Sequence, residues 1–173
     1  MNISSIFIQN FRKLYQCHID FSNDTTLFVG ANNSGKTSAM DALGKFLAGR
    51  AFNFNDITIS NRELINKIGE QWETVDCEKP DSISEWSKLL PTLDVWLNVE
   101  PQDIHYVLGI IPTLKWRGGL LGVRLIYQPK KIDTLFSEYR EAFFAARTTE
   151  KSGEDGKKIH LFPNNLCEYL ERH

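Results

Sequence analysis

The residues best suited to chemistry form one short run whose types and spacing are those of a phosphate-binding loop. The run fits the pattern G-x-x-x-x-G-K-[ST] without a deviation and reads Gly30-Ala31-Asn32-Asn33-Ser34-Gly35-Lys36-Thr37. Its two glycines allow consecutive backbone N–H groups to point into one concavity and approach phosphate oxygens closely. Lys36 supplies a point charge for the β and γ phosphates, and the Thr37 hydroxyl supplies a ligand for Mg²⁺. The run therefore predicts binding of ATP, or a related nucleotide, with Mg²⁺.

This motif needs a strand before it and a helix after it, and the sequence offers both. Thr25 to Val29 is a β-branched and aromatic run, which predicts a buried strand leading into Gly30. Lys36 to Leu47 has the period of an amphipathic helix. The stripe expected to face the core consists of Met40, Leu43 and Leu47, widened by Ala39, Ala42 and Phe46. The alternative is a helix cap without a ligand, but a cap requires neither both glycines nor the lysine.

A hairpin is predicted ahead of the loop. Ile3 to Ile8 and Tyr15 to Phe21 alternate as half-buried strands do, and Asn10 to Lys13 has the composition of a turn. In the second strand, the residues expected on one face are Cys17, Ile19 and Phe21.

Beyond Arg50 the periodic signal is weaker, but capping residues, prolines and glycines still divide the chain into elements. The expected elements are short helices after Ser60-x-x-Glu63 and Ser82-x-x-Glu85, a strand from Leu93 to Val99, a helix from Pro101 that ends before Pro112, a strand from Leu120 to Gln128, a helix from Lys131 to Arg147 and a short helix within Asn164 to Arg172. The stripe of the long helix is expected to be Leu135, Tyr139, Phe143 and Ala146. Thr148 to Lys158 is polar and predicts a flexible connection.

Composition and cysteine spacing argue against several classes of protein. The 173 residues are 42% apolar and 24% charged, with a formal net charge of -2, so the totals carry no strongly basic nucleic-acid footprint. Cys17, Cys77 and Cys167 are odd in number and lack zinc-ligand spacing, which predicts reduced thiols. No run approaches the ~20 apolar residues of a membrane span. We therefore expect a cytoplasmic protein with no membrane partner.

The start of the chain resembles the N-terminal lobe of ABC-type ATPase heads of the RecF, SMC and OLD group. The features that carry this resemblance are the hairpin, the Asn10-Phe11-Arg12 turn and the Gly-Ala-Asn-Asn-Ser-Gly-Lys-Thr loop. Within that group the resemblance is to OLD-type ATPases, and it covers residues 1 to about 50. It implies an α/β P-loop NTPase fold with an antiparallel β-hairpin layer and a mixed sheet flanked by helices. The implied domains are residues 1–147, with an insert of short helices at about 60–92, and residues 148–173 as a flexible connection with a short C-terminal helix.

The resemblance also assigns roles to residues around the loop. Arg12 and Lys13 are expected near the nucleotide, and Ser38 joins the residues that contact it. Asn33 either positions the γ phosphate or its attacking water, or only forms a turn. Gln128 is either the glutamine that senses Mg²⁺ in such heads or a polar strand end.

Two parts of a complete head are not recognisable in the sequence. There is no Ser-Gly-Gly signature segment, and neither Asp94 nor Glu100 follows an apolar strand as the acidic pair of a head does; Ser152-Gly153-Glu154 is a faint match without such a strand after it. We therefore expect ATP binding with little hydrolysis by the chain alone. The expected partners are a C-terminal ATPase lobe or a second head, with self-association, and DNA through the complete protein.

Complete relatives act on DNA in repair, chromosome maintenance or phage defence, which is what the resemblance implies here. One alternative is a small P-loop kinase, for which Arg140 and Arg147 are the candidate lid arginines. Another is a non-catalytic nucleotide-binding remnant or regulator. The basic and aromatic run Lys115-Trp116-Arg117 is a candidate contact for a nucleic-acid backbone, whereas the other tryptophans are expected in a core or an interface.

Overall fold

The computed structural model describes residues 1–80, 83–84, 86–150 and 161–172, with the side chains of 149 and 150 excepted. The chain forms two compact units that alternate along the sequence. The first unit contains residues 1–52 and 91–127, and the second contains residues 53–90 and 128–173. Together they make an α/β protein, as expected. The domain division at residue 147 that the sequence suggests stays a prediction.

The first unit is built on a four-stranded sheet with the order β2-β1-β3-β4. Its strands are β1 (Asn2–Phe11), β2 (Leu14–Asp20), β3 (Thr92–Val99) and β4 (Gly119–Ile126). Each neighbouring pair is antiparallel, so the sheet that the structure describes is antiparallel throughout and not mixed. The expected hairpin is present, with Cys17 and Ile19 packed toward the core. A short 3-10 helix, Pro101–Tyr106, starts at the predicted proline and lies between β3 and β4.

Helix α1 (Lys36–Leu47) has the predicted bounds, and four of the six residues of its predicted stripe pack in the core. Ala42 and Ala39 are buried, at 0% and 3% exposure, whereas Met40 and Leu47 are exposed. The small alanine side chains let the helix approach the sheet closely, and Leu43 and Phe46 pack against the same core. The sheet residues buried in this core are Ile6, Ile8, Phe11, Leu93 and Val95.

The segment from Thr25 to Val29 is not a strand, in contrast to the expectation. Leu27 and Val29 are 81% and 82% exposed. A strand needs a neighbour that accepts and donates its backbone hydrogen bonds, and none of the four described strands pairs with this segment. The described sheet therefore lacks this expected strand and consists of antiparallel pairs.

The second unit is helical. It contains α2 (Ile59–Trp72), α3 (Ile132–Glu150) and α4 (Leu166–Arg172), together with 3-10 turns at Phe54–Asp56 and Trp86–Lys88. Its core includes three side chains with no exposed surface: Ile65, Tyr139 and Leu166. Tyr139 also donates a hydrogen bond from its hydroxyl to Glu73 Oε1 at 2.5 Å. Burial and this bond raise the pKa of the Tyr139 phenol well above its usual range.

The helix boundaries refine the sequence expectations for this unit. Thr58 is the N-cap residue of α2, so Ser60 and Glu63 both lie inside the helix and do not form the expected capping box. Ser82 and Glu85, the second expected box, lie outside the described residues. Helix α3 continues past Arg147, and most of the expected flexible connection also lies outside the described residues.

The contact between α2 and α4 generates a stability prediction. A Cβ atom at Gly69 would lie 2.6 Å from Leu166 Cβ, whereas a Cβ atom at Gly109 would meet nothing within 4 Å. Gly69→Val should therefore lower the free energy of unfolding by about 2 kcal/mol through overpacking. Gly109→Val is the matched control and should change it by less than about 0.5 kcal/mol.

Urea unfolding followed by the fluorescence of the buried Trp72 and Trp86 measures this difference. Equal unfolding midpoints for the two variants would contradict the packing described for α2 and α4.

Candidate nucleotide-binding site

The loop from Gly30 to Thr37 turns sharply into helix α1, which begins at Lys36. The Ser34 N–H donates to the Ala31 carbonyl at 3.3 Å, and Asn33 has a φ of 68°. Gly35 precedes the helix with a φ of 94°, a left-handed conformation that glycine adopts without steric cost. The second glycine of the motif is therefore required by the backbone path.

The Lys36 ammonium lies within the concavity of the loop. Its Nζ donates to the Gly30 carbonyl at 2.6 Å, to the Ala31 carbonyl at 2.7 Å and to Ser34 Oγ at 3.2 Å. A side chain at Gly30 would crowd this space, because its Cβ atom would lie 3.0 Å from Ser34 Oγ. The loop thus places a cation in a cradle lined by main-chain groups, and the first motif glycine keeps that cradle clear.

Thr37 and Ser38 occupy the first turn of α1, directly after the lysine. The Thr37 side chain is exposed, and Ser38 is half-buried. No acidic residue lies in this first turn, so the positive end of the helix dipole is not neutralised there. The residues present fit a phosphate group with its metal ion, because they combine the dipole, a cation and a hydroxyl.

The hairpin turn is fastened to the loop and to α1 by polar side chains. Arg12 donates to Asp41 Oδ2 at 2.6 Å, and Lys13 donates to Asn33 Oδ1. Leu14 lies beneath the loop, so a Cβ atom at Gly35 would be 2.8 Å from its Cδ2 atom. The structure therefore brings Arg12, Lys13 and Asn33 to the loop region, although their contact with a nucleotide stays a prediction.

Asp41 is a residue of this region that the motif does not reveal. It lies one helical turn after Thr37 and holds the Arg12 guanidinium, which also lies 5.2 Å from the Phe11 ring centroid. Its spacing from Thr37 could have indicated this role in the sequence, because residues four apart lie on the same side of a helix. Asp41 therefore positions the hairpin turn relative to the start of α1.

The other candidate residues have different surroundings. Gln128 is exposed and lies two residues after β4, at the start of the second segment of the second unit, and its role as a Mg²⁺ ligand stays a prediction. Asp94 forms a two-point ion pair with Arg124, at 2.6 and 2.7 Å. Glu100 accepts a hydrogen bond from Gln102 at 2.7 Å. Asp94 and Glu100, which the sequence analysis considered as candidates for the acidic pair, are thus both paired with other side chains.

The basic and aromatic candidates also pack in specific ways. Trp116 contacts the small core of Val99, Val107 and Leu121, so it is not a free stacking surface. Trp72 and Trp86 are buried as expected, but Trp96 is 40% exposed.

The two arginines proposed for a kinase lid pack within the second unit. Arg140 donates to the Thr74 carbonyl at 2.7 Å. The Arg147 guanidinium lies 3.1 Å from the centroid of the Phe143 ring. Both side chains therefore stabilise the packing of α3 in this unit.

The three cysteines are free thiols, and two of them have altered acidity. Burial raises the pKa of the Cys167 thiol to about 11 and also raises the pKa of Cys17. These thiols therefore stay protonated at neutral pH. Across the part of the chain that the structure describes, no helix is both long and apolar enough to cross a membrane. The cytoplasmic location stays a prediction.

Comparison with known proteins identifies the class. Residues 1–167 match the family model described as the AAA ATPase domain, so the chain belongs to that family. The chain is 30% identical over 156 residues to an uncharacterized protein of Methanocaldococcus jannaschii, covering 83% of this chain and 46% of that relative. It is 37% identical over 112 residues to the DNA replication and repair protein RecF of Glaesserella parasuis serovar 5, covering 62% of this chain and 31% of RecF.

A solved structure from work on ATP-driven dimerization and DNA-stimulated activation of SMC ATPases covers 92% of this chain and 85% of its own. Its TM-score is 0.39 at 17% identity. The family match and the RecF relatives confirm the predicted kinship with RecF-like ATPases. The chain spans less than half the length of the curated relatives named here.

The conformation of Gly35 gives a prediction about the loop. Gly35→Ala should lower the free energy of unfolding by about 2 kcal/mol or more, because it adds left-handed strain and a close contact with Leu14. Gly49→Ala is the matched control, since Gly49 has a φ of 68° with nothing within 4 Å of a Cβ atom, and it should cost only the strain, about 1 kcal/mol.

Chemical denaturation of the two variants gives the comparison. If Gly35→Ala costs no more than Gly49→Ala, Leu14 does not pack beneath the loop as described.

Proposed function

We propose that residues Gly30 to Thr37 bind the phosphates of ATP together with Mg²⁺, and that the chain is the nucleotide-binding N-terminal part of an ABC-type ATPase head. The observation that carries this proposal is the Lys36 ammonium held inside the loop at the start of α1. Membership of the AAA ATPase domain family supports it.

The residues around the loop would divide the work of binding. Lys36 exchanges its carbonyl partners for phosphate oxygens, which are stronger acceptors because they are charged. Thr37 offers its hydroxyl to the metal ion, and the main-chain N–H groups of the loop and the first turn face the remaining oxygens. Bound Mg²⁺ would neutralise phosphate charge.

Nucleotide binding is tested by calorimetry with Mg²⁺ and ATP. Lys36→Ala should weaken binding at least about tenfold, because it removes the charge-assisted contact inside the loop. Lys67→Ala is the matched control: Lys67 is an exposed lysine of the second unit, 3.9 Å from Glu63, and its loss should leave binding unchanged. Binding should also fall when Mg²⁺ is chelated.

Equal affinity of the wild type and Lys36→Ala would exclude the loop as the site. Absence of binding by the wild type would overturn the proposal itself.

Catalysis should be separable from binding. Positioning and charge stabilisation in phosphoryl transfer need carboxylates that complete the metal shell and orient water, and Asp94 is instead paired with Arg124. We therefore expect phosphate release by the chain alone to be close to the background rate. Steady-state phosphate release by the wild type and by Lys36→Ala gives the measurement.

Robust turnover by the wild type that disappears in Lys36→Ala would contradict this expectation. Asp94→Asn and Glu100→Gln would then identify the carboxylate involved. Phosphate transfer to a small acceptor in place of water would instead favour the kinase alternative, whose candidate lid arginines are engaged in the second unit.

Completion of the head is the part of the proposal that concerns partners. The exposed Leu27 and Val29 belong to a run with strand composition and no strand partner among the described residues. We propose that a C-terminal ATPase lobe supplies the neighbouring strand, and that a second head or a second copy associates with the completed protein. The RecF relatives are named for DNA replication and repair, which supports DNA as the substrate of the complete protein. We propose more specifically that the complete protein acts in phage defence, as OLD-type ATPases do.

A further inference from the structure

The sheet of the first unit has one face covered by α1 and one open face. Side chains alternate along each strand, so residues between the buried Ile6, Ile8, Leu93 and Val95 point away from the helix. The open face is defined here by Phe7 on β1, Asp94 and Trp96 on β3, and Gly122 and Arg124 on β4. The strand register places Trp96 opposite Gly122, and Asp94 between Phe7 and Arg124.

Trp96 lies flat on this face because its neighbour has no side chain. A Cβ atom at Gly122 would lie 2.7, 3.0 and 3.1 Å from three carbons of the indole six-membered ring. One side of the ring therefore rests on the backbone of β4, and the side chain remains 40% exposed. The opposite side of the indole is available as a planar, apolar surface.

Arg124 stands beside the indole in a fixed orientation. Its Nε and one terminal nitrogen donate to the two Asp94 oxygens at 2.6 and 2.7 Å, although the Arg124 side chain is 60% exposed. This pairing raises the pKa of Arg124, so the guanidinium stays charged. Asp94, Trp96, Gly122, Val123 and Arg124 line an open cavity of about 200 Å³.

A second aromatic group extends the surface. Phe7 is the cross-strand neighbour of Asp94 and lies diagonally from Trp96, within reach of large side chains. The ring of His18, on β2, is tilted against Phe7 with the centroids 6.4 Å apart. Aromatic rings on the two central strands thus alternate with hydrogen-bonding groups, which differs from the continuous apolar surface of a protein-packing face.

We propose that the open face binds unpaired bases of single-stranded nucleic acid, with one base stacked on Trp96 and the next beside Phe7. Every nucleobase has a planar face that can stack on an indole, and unpaired bases can leave the strand to do so. The Asp94 carboxylate can accept a hydrogen bond from a base amino group, and Arg124 can donate to a base edge or a phosphate. Bases of a duplex are stacked on one another and cannot reach a flat indole.

The charges on this face predict an unusual salt response. Arg124 is the basic side chain beside the indole, and it is paired with Asp94, so few phosphates are neutralised on binding. The logarithm of Kd should therefore change with the logarithm of salt concentration with a slope of about 1 or less. Stacking, and not phosphate attraction, supplies most of the affinity.

The test measures fluorescence anisotropy of a labelled mixed-sequence single-stranded oligodeoxynucleotide of about 20 residues, with the full chain. Trp96→Ala should weaken binding about tenfold or more, and Trp96→Phe should retain part of it because a phenyl ring also stacks. Gly122→Val lifts the indole from the sheet and should also weaken binding. Tyr106→Ala removes an aromatic residue that is 70% exposed and lies off this face, so it is the matched control.

Several outcomes would overturn the inference: no binding by the wild type, equal binding by Trp96→Ala, or equal binding of a duplex with the same sequence. Thermal unfolding of each variant checks the fold, and Trp96→Phe with Gly122→Val keeps the inference testable if Trp96→Ala does not fold. Lys36→Ala should bind the oligonucleotide as the wild type does, so failure of ATP binding at the loop and failure of base binding at the sheet are distinguishable.

Discussion

The contact between helix α1 and the sheet, which buries two alanines, is the constraint on which the first unit depends. Ala39 and Ala42 are buried against a surface of branched side chains that includes Ile6 and Ile8. Small residues permit a close approach, which larger ones would prevent by overpacking. Because α1 begins at Lys36, this contact also decides where the phosphate loop lies relative to the hairpin. Arg12 then pairs with Asp41 of α1, while Lys13 and Leu14 contact the loop.

A strand can be recognised from its composition but can form only with a neighbour. Thr25 to Val29 has the residue types of a buried strand, and yet Leu27 and Val29 are largely exposed. The backbone groups of such a segment gain nothing from an extended conformation until another strand pairs with them. The failed expectation is therefore informative about the fold, because the side chains are suited to a core that the first unit does not build around them.

The sequence predicted the bounds of helices and strands better than it predicted their tertiary contacts. Helix α1 and strands β2 to β4 lie within two residues of the predicted bounds, whereas β1 continues three residues beyond its predicted end at Ile8. Apolar periodicity predicted most of the core-facing stripe of α1, but it placed Met40 at the centre of that stripe, whereas Met40 is exposed and Ala39 is buried. Nor could the motif reveal Asp41, whose role depends on a hairpin turn brought near by the tertiary fold. The loop was recognisable because its motif consists of fixed residue types at fixed local spacing.

The two faces of the sheet differ because one glycine and one ion pair lie on the open side. If Gly122 carried a side chain, Trp96 could not lie flat, and its large apolar surface would require a covering element. If Asp94 lacked Arg124, a carboxylate would stand beside an indole without a partner. Both features let an aromatic ring remain on a solvated surface at little cost. A tryptophan of this kind, which composition alone places in a core, is kept at the surface by its neighbours on β4.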